Sequence, residues 1–376
     1  MATKKCCIYA AFGVSQTPII AFQWKGENTV MEELIRLFVE EFQQPSTLEE
    51  TKIANLLGHS DRFIALDQYR RKDLKAQKQI LDELAGKLDS MDLYKGCCCA
   101  FFCGVLMGEC GPGGAGEGLV NFFIKVVSHL CGLLDELDKT EESDPEDEML
   151  DKLFLTAPDK VRAFRGSAPL MMAIMDLLAK SPESREYLRK KDLYDNLERI
   201  EPFVKNGSYL LRIYPVCGPM DVLVLAPKKE QGALIKVQDV GTNFHLMTLL
   251  ERALYQKEWD QRFGLSADVK SPESLKVFAC ASGEETARQN GSVYAHAAYY
   301  SCDGQMLWGE MGPDTIPCVE QMPVVLICPE KFPRSWDLFF AVSCHPYLKP
   351  LAEIKRELSK EEVREWMGKM QGISSF

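Results

Sequence analysis

The run Asp221-Val222-Leu223-Val224-Leu225, followed beyond Pro227 and Gly232 by Ala233-Leu234-Ile235-Lys236-Val237-Gln238-Asp239-Val240, decides the fold class of this chain. Both pieces are short, apolar or β-branched, and bounded by turn formers, which is how strands read. Further segments of the same kind lie at 209–214, 276–281, 293–301, 324–328 and 336–342. Cys302-Asp303-Gly304-Gln305 adds a hairpin signal, because Asp-Gly accepts the positive φ angles of a tight turn. One amphipathic helix, 243–255, interrupts the strands. A last helix opens at Ser359, with Glu362 three residues on as the capping-box partner.

Upstream of Asn206-Gly207 the period changes to that of helices. Thr29-Val30-Met31-Glu32 fits a capping box, Leu34, Ile35, Leu37, Phe38 and Phe42 follow at helical spacing, and Pro45 ends the run. Ser46-Thr47-Leu48-Glu49-Glu50 opens a second helix with Ile53, Leu56 and Leu57 on one face. A long amphipathic helix is expected over 67–91, and others over 119–137, 168–180 and 182–201. Ser181 and Pro182 stand where an N-cap and a first-turn proline belong. The first residues, with Cys6-Cys7-Ile8-Tyr9, read as a strand start. Gly13, Gln16 and Pro18 cut the apolar run too early for a signal peptide. Helices in one half and strands in the other make an α+β fold. The expectation is a mainly helical domain over 1–205, with an N-terminal strand pair and an acidic connection at 135–152. It packs on a β-rich, largely antiparallel α+β domain over 206–376 with a terminal helix.

A chain of 376 residues with 46% hydrophobic and 26% charged residues is neither disordered nor a small disulfide scaffold. Its net charge of -11 argues against a nucleic-acid binder, which needs excess Lys and Arg to neutralise phosphates. Even the run Arg70, Arg71, Lys72, Lys75, Lys78 carries only Tyr69 as an aromatic, too little for a base-stacking platform. The acidity is local: residues 135–152 hold ten acids against two lysines, a net of -8. No EF-hand is present there, since Ser143 and Met149 occupy the glycine and final glutamate positions of a loop starting at Asp138. A block of this kind is either a solvated connection or a docking site for a basic partner, and Asp144, Glu146, Asp147 and Glu148 are its central residues. No apolar run without charges reaches a membrane span. Of the 14 cysteines, Cys97, Cys98 and Cys99 are consecutive, which suits a reducing cytoplasm better than a disulfide framework.

Gly111-Pro112-Gly113-Gly114-Ala115-Gly116 matches G-x-G-x-x-G in form. It lacks a β-branched strand before it and a second strand after it, and Glu109 and Glu117 flank the phosphate position, so it reads as a connection between helices. No nucleotide or other cofactor is expected. Cys99 and Cys103 share a helical face and are the only pair spaced for a soft metal. With no C-x-x-C and no nearby histidine, burial as small hydrophobes is the better reading. Catalytic motifs are scarce. A thiol-dependent hydrolase would use Cys280 or Cys344 with His296 or His345, provided the fold brings a pair within hydrogen-bond reach.

Three groups of residues carry a resemblance. They are Gly241-Thr242-Asn243-Phe244-His245-Leu246-Met247-Thr248-Leu249-Leu250, Trp308-Gly309-Glu310 with Pro313-Asp314-Thr315-Ile316-Pro317, and Pro333-Arg334-Ser335-Trp336. Over its last third to half the chain resembles a set of uncharacterised bacterial proteins. The resemblance implies a bacterial origin and assigns no activity. In these segments Asn243 is expected to cap the helix that follows, and Arg334 to pair with an acid or stack on a ring. Trp259, Trp308 and Trp336 are expected to be exposed near turns. The leading functional expectation is a cytoplasmic, non-catalytic protein that binds a macromolecular partner, in its narrower form an immunity-like protein masking a basic toxin. The binding residues are then the four acids above with Trp308, Arg334 and Trp336. The thiol hydrolase and a metal-binding role for 97–110 are the alternatives.

Overall fold

The computed structural model describes residues 27–140, 146–285, 291–329 and 334–370. The expected N-terminal strand pair lies outside them. The chain forms two compact units that divide between Leu210 and Leu211.

The first unit is helical: α1 (Glu27–Gln43), α2 (Asp61–Arg70), α3 (Leu74–Ala85), α4 (Leu93–Cys110), α5 (Gly116–Thr140), α6 (Asp147–Phe154), α7 (Pro158–Lys180), α8 (Pro182–Arg189) and α9 (Tyr194–Ile200). Helix α10 (Gly207–Ile213) spans the division. Helix α4 is the centre of this unit, with Cys97, Cys98, Cys99, Ala100, Phe102, Cys103 and Leu106 all buried. It runs against α7 at unusually close range. A Cβ on Gly166 would fall 2.7 Å from Cys97 Cβ, and one on Gly104 would fall 3.1 Å from Ala173 Cα. Small residues there allow two helix backbones to approach, so cysteine serves as a packing residue. Both α4 and the Gly116–Asp138 part of α5 are long and apolar enough to cross a membrane, contrary to the expectation that no segment would be. Within this unit 72% and 50% of those stretches are buried, as in core helices.

Several boundaries differ from expectation. Helix α1 already runs through Thr29, which is therefore not its cap. The segment opening at Ser46 forms two 3-10 turns, Glu50–Lys52 and Leu56–His59, although Thr47 and Glu50 do exchange reciprocal backbone bonds at 2.7 and 3.2 Å. The single helix over 67–91 is broken because Asp73 accepts from Ala76 N at 2.7 Å and becomes the N-cap of α3. The helix over 182–201 is split around Asp192, which has φ of 51°. Ser181 and Pro182 take the expected N-cap and first-turn places in α8.

The second unit contains β1 (Met220–Ala226), β2 (Gln231–Gln238), α11 (Asn243–Gln256), α12 (Asp260–Phe263), α13 (Pro272–Ala281), β3 (Ser292–Tyr294), β4 (Ala298–Ser301), β5 (Cys318–Val319), β6 (Met322–Cys328), β7 (Ser335–Asp337), β8 (Leu351–Glu357) and α14 (Lys360–Lys369). The main sheet has the order β4-β6-β1-β2-β8, with β5 also on β6, while β3 and β7 form a separate ribbon. Every pairing is antiparallel except β1 with β6, so the sheet is mixed. Residues Val222 and Val224 of β1 join one core with α11 and α13, and Leu223 and Leu225 join another with α14. Both faces are covered there, which explains why this strand is continuously apolar from Val222 to Ala226 instead of alternating.

Here too the sequence reading needs correction. Segments 209–214 and 276–281 are helical, in α10 and α13. Ser271 caps α13 and Pro272 starts it, a local signal that outweighs the β-branched residues downstream. Segment 293–301 divides at Ala295-His296-Ala297 into strands of two different sheets, and 336–342 is mostly a 3-10 turn. Strand β8 went unread because its edge position leaves it charged and exposed. The Asp303-Gly304 turn forms, with Gly304 at φ 80° and Ser301 N bonded to Gln305 O at 2.9 Å. The Ser359–Glu362 capping box is complete.

Candidate functional site

The most concentrated polar chemistry in the second unit gathers around Glu251 on α11. That helix presents Met247, Leu250 and Leu254 to the core, and Glu251 is a single carboxylate on this apolar face, 2% exposed. Such a group survives only if fully bonded. Its Oε1 accepts from Tyr299 Oη at 2.7 Å and from the His296 amide at 3.1 Å, and its Oε2 accepts from His296 Nδ1 at 2.5 Å. Three groups thus converge on one buried carboxylate and meet its need for partners. His296 then turns Nε2 toward Ser274 Oγ, 3.0 Å away in the first turn of α13. Burial, and then the neighbouring Glu251, hold the Tyr299 hydroxyl well above its ordinary pKa, so it remains a donor; the Arg334 charge acts in the opposite direction.

The structure thus assembles serine, histidine and glutamate where the sequence pointed to a thiol. The two ring nitrogens of His296 are engaged by Glu251 and Ser274 rather than Cys280, which lies buried near the end of α13. Burial pushes the Cys280 thiol up, away from a nucleophile. Cys344 donates to Arg212 O at 3.6 Å, while His345 Nδ1 accepts from Tyr347 N at 3.4 Å, so neither of these bonds joins the two neighbours. Glu251 was legible as a lone acid on an apolar stripe, and Ser274 only as part of a helix start. Their meeting with His296 depends on tertiary structure.

Cys99 and Cys103 lie fully buried on α4. Among the described residues no group of three or more His, Cys, Asp or Glu is placed to hold a metal. Burial pushes Cys97 and Cys99 far up and Cys98 to about 12. Among the described cysteines, native-state alkylation at pH 8 is therefore expected to modify the exposed Cys318 first and to spare Cys97, Cys98, Cys99 and Cys103 until the chain unfolds. Peptide mass spectrometry over a time course checks this; early labelling of 97–103 contradicts the packing role.

In its described part the acidic connection is mostly helical, and most of its acids are paired. Asp147, Glu148 and Asp151 belong to α6, where Asp147 and Asp151 pair with Arg165 at 3.1 and 2.9 Å, Asp151 also with Lys52 at 2.6 Å, and Glu148 with Lys152 at 2.9 Å. Asp135 and Asp138 pair with Arg199. Glu146 precedes α6 and is exposed, and Asp144 lies outside the described residues. Of the three tryptophans expected to be exposed, Trp336 is a core residue stacked on Phe244 at 4.6 Å, Trp259 is half-buried against Phe263, and Trp308 is exposed, at 68%. Arg334 is half-buried, and its carbonyl accepts from Ala295 N at 2.9 Å.

The start of α11 organises the surface around Trp308. Thr242, not Asn243, is the N-cap, accepting from His245 N at 3.1 Å and donating to Phe340 O at 2.6 Å. Asn243 binds Met311 O through its amide at 2.7 Å and Trp308 O through Nδ2 at 2.8 Å, and Phe244 N donates to Gly309 O at 2.9 Å. Gly309 is required there, because a Cβ would overlap the Phe244 ring. Met306, Trp308, Met311, Phe339 and Phe340 all stay exposed on the two loops so anchored. Arg212 stacks on the Phe339 ring with its guanidinium carbon 3.6 Å from the centroid.

One turn into α11, His245 is buried, with Nε2 2.8 Å from Ala281 O. Burial lowers its pKa to about 4. The unfolded chain takes up this proton below about pH 6.5 and the folded chain only near 4, so stability is full above pH 6.5 and lost as pH falls toward 4. The expected loss is about 3 kcal/mol across that window. Urea midpoints measured from pH 7 to pH 4 should fall less steeply for His245→Asn than for the wild type; equal slopes contradict the assignment.

Neither a protein-family model, a curated protein nor a solved structure matches the chain, so the chemistry of these sites rests on its own residues.

Proposed function

We propose that this is a cytoplasmic protein that works by binding a protein partner, and that the binding surface is the apolar patch of Met306, Trp308 and Met311 with Phe339 and Phe340. The observation that carries the reading is the anchoring of both loops on Thr242, Asn243 and Phe244. Large apolar side chains held in place at the surface lose little conformational entropy on binding, which is the condition for an interface hot spot. Aromatic and methionine side chains are also the types enriched in such surfaces. The free thiols of the described cysteines accord with a reducing compartment. An immunity-like role through the acidic connection has less support, since Asp147, Glu148 and Asp151 are already compensated by cations of the same unit.

Cross-linking in native lysate tests the reading with wild type, Trp308→Ala and Glu146→Lys in parallel. A partner recovered in stoichiometric amount by wild type and bound at least about tenfold more weakly by Trp308→Ala supports it. Equal recovery by that variant, or no partner at all, overturns it. Selective loss with Glu146→Lys transfers the site to the acidic connection and a basic partner.

A further inference from the structure

We propose that Ser274, His296 and Glu251 form an acyl-transfer centre that acts on short, unhindered carboxylic esters. The argument begins with depth. Glu251 and His296 are buried, at 2% and 5% exposure, whereas Ser274 is half-buried and flanked by exposed Pro272, Glu273, Leu275 and Lys276. A buried acid orients a buried base, and the base meets a hydroxyl at the surface, which is the order that nucleophilic serine catalysis requires. The distances are 2.5 Å from Glu251 Oε2 to His296 Nδ1 and 3.0 Å from His296 Nε2 to Ser274 Oγ.

The hydroxyl has two possible acceptors, since Asp268 O also lies 3.0 Å from Ser274 Oγ. Asp268 O already accepts the Ser271 amide at 2.9 Å, so turning the hydroxyl away leaves it bonded. His296 bonds Glu251 through Nδ1 and turns Nε2 to Ser274 Oγ, so in the tautomer that carries its proton on Nδ1 the Nε2 lone pair can accept the Ser274 proton. Ser271 Oγ, 2.9 Å from Ser274 Oγ, is placed to donate to the serine oxygen in that arrangement. Ser274 also sits in the first turn of a ten-residue helix, whose positive end favours negative charge developing on a substrate oxygen.

The reaction balances with water as the only co-reactant. Ser274 Oγ bonds to the ester carbonyl carbon as its proton moves to His296 Nε2. The bond to the alcohol oxygen then breaks, and the alcohol leaves with that proton, so the serine is acylated. Water attacks the acyl carbon, passing a proton to His296 Nε2. Ser274 leaves as the hydroxyl by recovering that proton, and the carboxylic acid is released. Ser274 is half-buried among exposed neighbours, so an ester with an unhindered carbonyl can reach its Oγ from the surface.

The test treats the full chain with a fluorophosphonate reagent and, separately, with p-nitrophenyl acetate. One adduct per chain, on the peptide containing Ser274 and absent from Ser274→Ala, is expected, with ester turnover reduced about 100-fold in that variant. His296→Gln is expected to abolish the adduct as well. Because that variant removes buried bonds, it counts only if its circular dichroism matches wild type; the surface variant Ser274→Ala decides otherwise. No adduct at Ser274, or turnover unchanged in Ser274→Ala, overturns the proposal and leaves the three residues as a structural network.

Discussion

Asp92→Ala is expected to lower the stability of the helical unit by about 3–5 kcal/mol, the scale for breaking a buried ion pair from one side. Asp92 is 3% exposed and does several jobs at once. It caps α4 by accepting from Tyr94 N and Lys95 N at 3.1 Å each. It also binds Ser46 through N at 3.1 Å and Oγ at 2.8 Å, and pairs with Arg162 Nε at 3.1 Å. Arg162 itself donates to Ser46 O at 2.6 Å. The node therefore joins the segment after α1, the start of α4 and the first turns of α7. Removing the carboxylate leaves helix amides and a largely buried guanidinium short of partners. Asp92→Asn keeps the acceptor and loses the charge, so it should cost less, about 1–2 kcal/mol. Urea unfolding followed by helical ellipticity measures both. A loss below about 1 kcal/mol for the alanine variant, on the scale of a cap alone, would refute the node.

In the second unit the corresponding change is Glu251→Ala, again with an expected loss of about 3–5 kcal/mol. The substitution strands the Tyr299 hydroxyl and the His296 ring and amide in a buried site, each of which then bears its desolvation cost. Glu251→Gln keeps one acceptor but sets an amide group against Nδ1–H, so it is expected to recover only part of the loss. Ser274→Ala, at the surface end of the same chain of bonds, should cost less than about 1 kcal/mol. Tryptophan fluorescence is a suitable probe, because four of the five tryptophans follow residue 210. If Glu251→Ala and Ser274→Ala are equally mild, the carboxylate does not organise the site. The gradient between the two also separates stability from chemistry in the acyl-transfer test.

Much of the fold was legible from local pattern. The run 221–225 signalled a strand, and β1 forms there. Asn243 to Tyr255, Ser181-Pro182 and Ser359-Glu362 read as helices or helix starts because capping and periodicity act within a few residues, although the cap of the first proved to be Thr242. The errors arose where two local signals competed. In 276–281 the apolar, aromatic content argued for a strand while Ser271-Pro272 had already started a helix. In 67–91 a sustained apolar stripe hid the single aspartate that restarts the helix.

The functional geometry was less legible for a different reason. Cys280 and His296 drew attention as a nucleophile and a base, yet which side chain meets an imidazole depends on the placement of three separate elements. Neither Ser274 nor Glu251 was singled out as a site residue, and Trp336 was expected to be exposed. Hydrogen-bond reach and burial, which assign their roles, are properties of the folded chain.

By itself the sequence determined the class of the fold, the grouping of helices before strands, the helix starts near Ser181, Asn243 and Ser359, and the burial of the cysteine-rich segment, because these follow from periodicity, capping and transfer of apolar groups from water. Only the tertiary structure decided that Glu251, His296 and Ser274 meet, that Asp147 and Asp151 of α6 pair with Arg165 and Lys52, and that Trp308 rather than Trp336 faces solvent. Those outcomes require contacts between residues up to 99 positions apart, which no local pattern encodes.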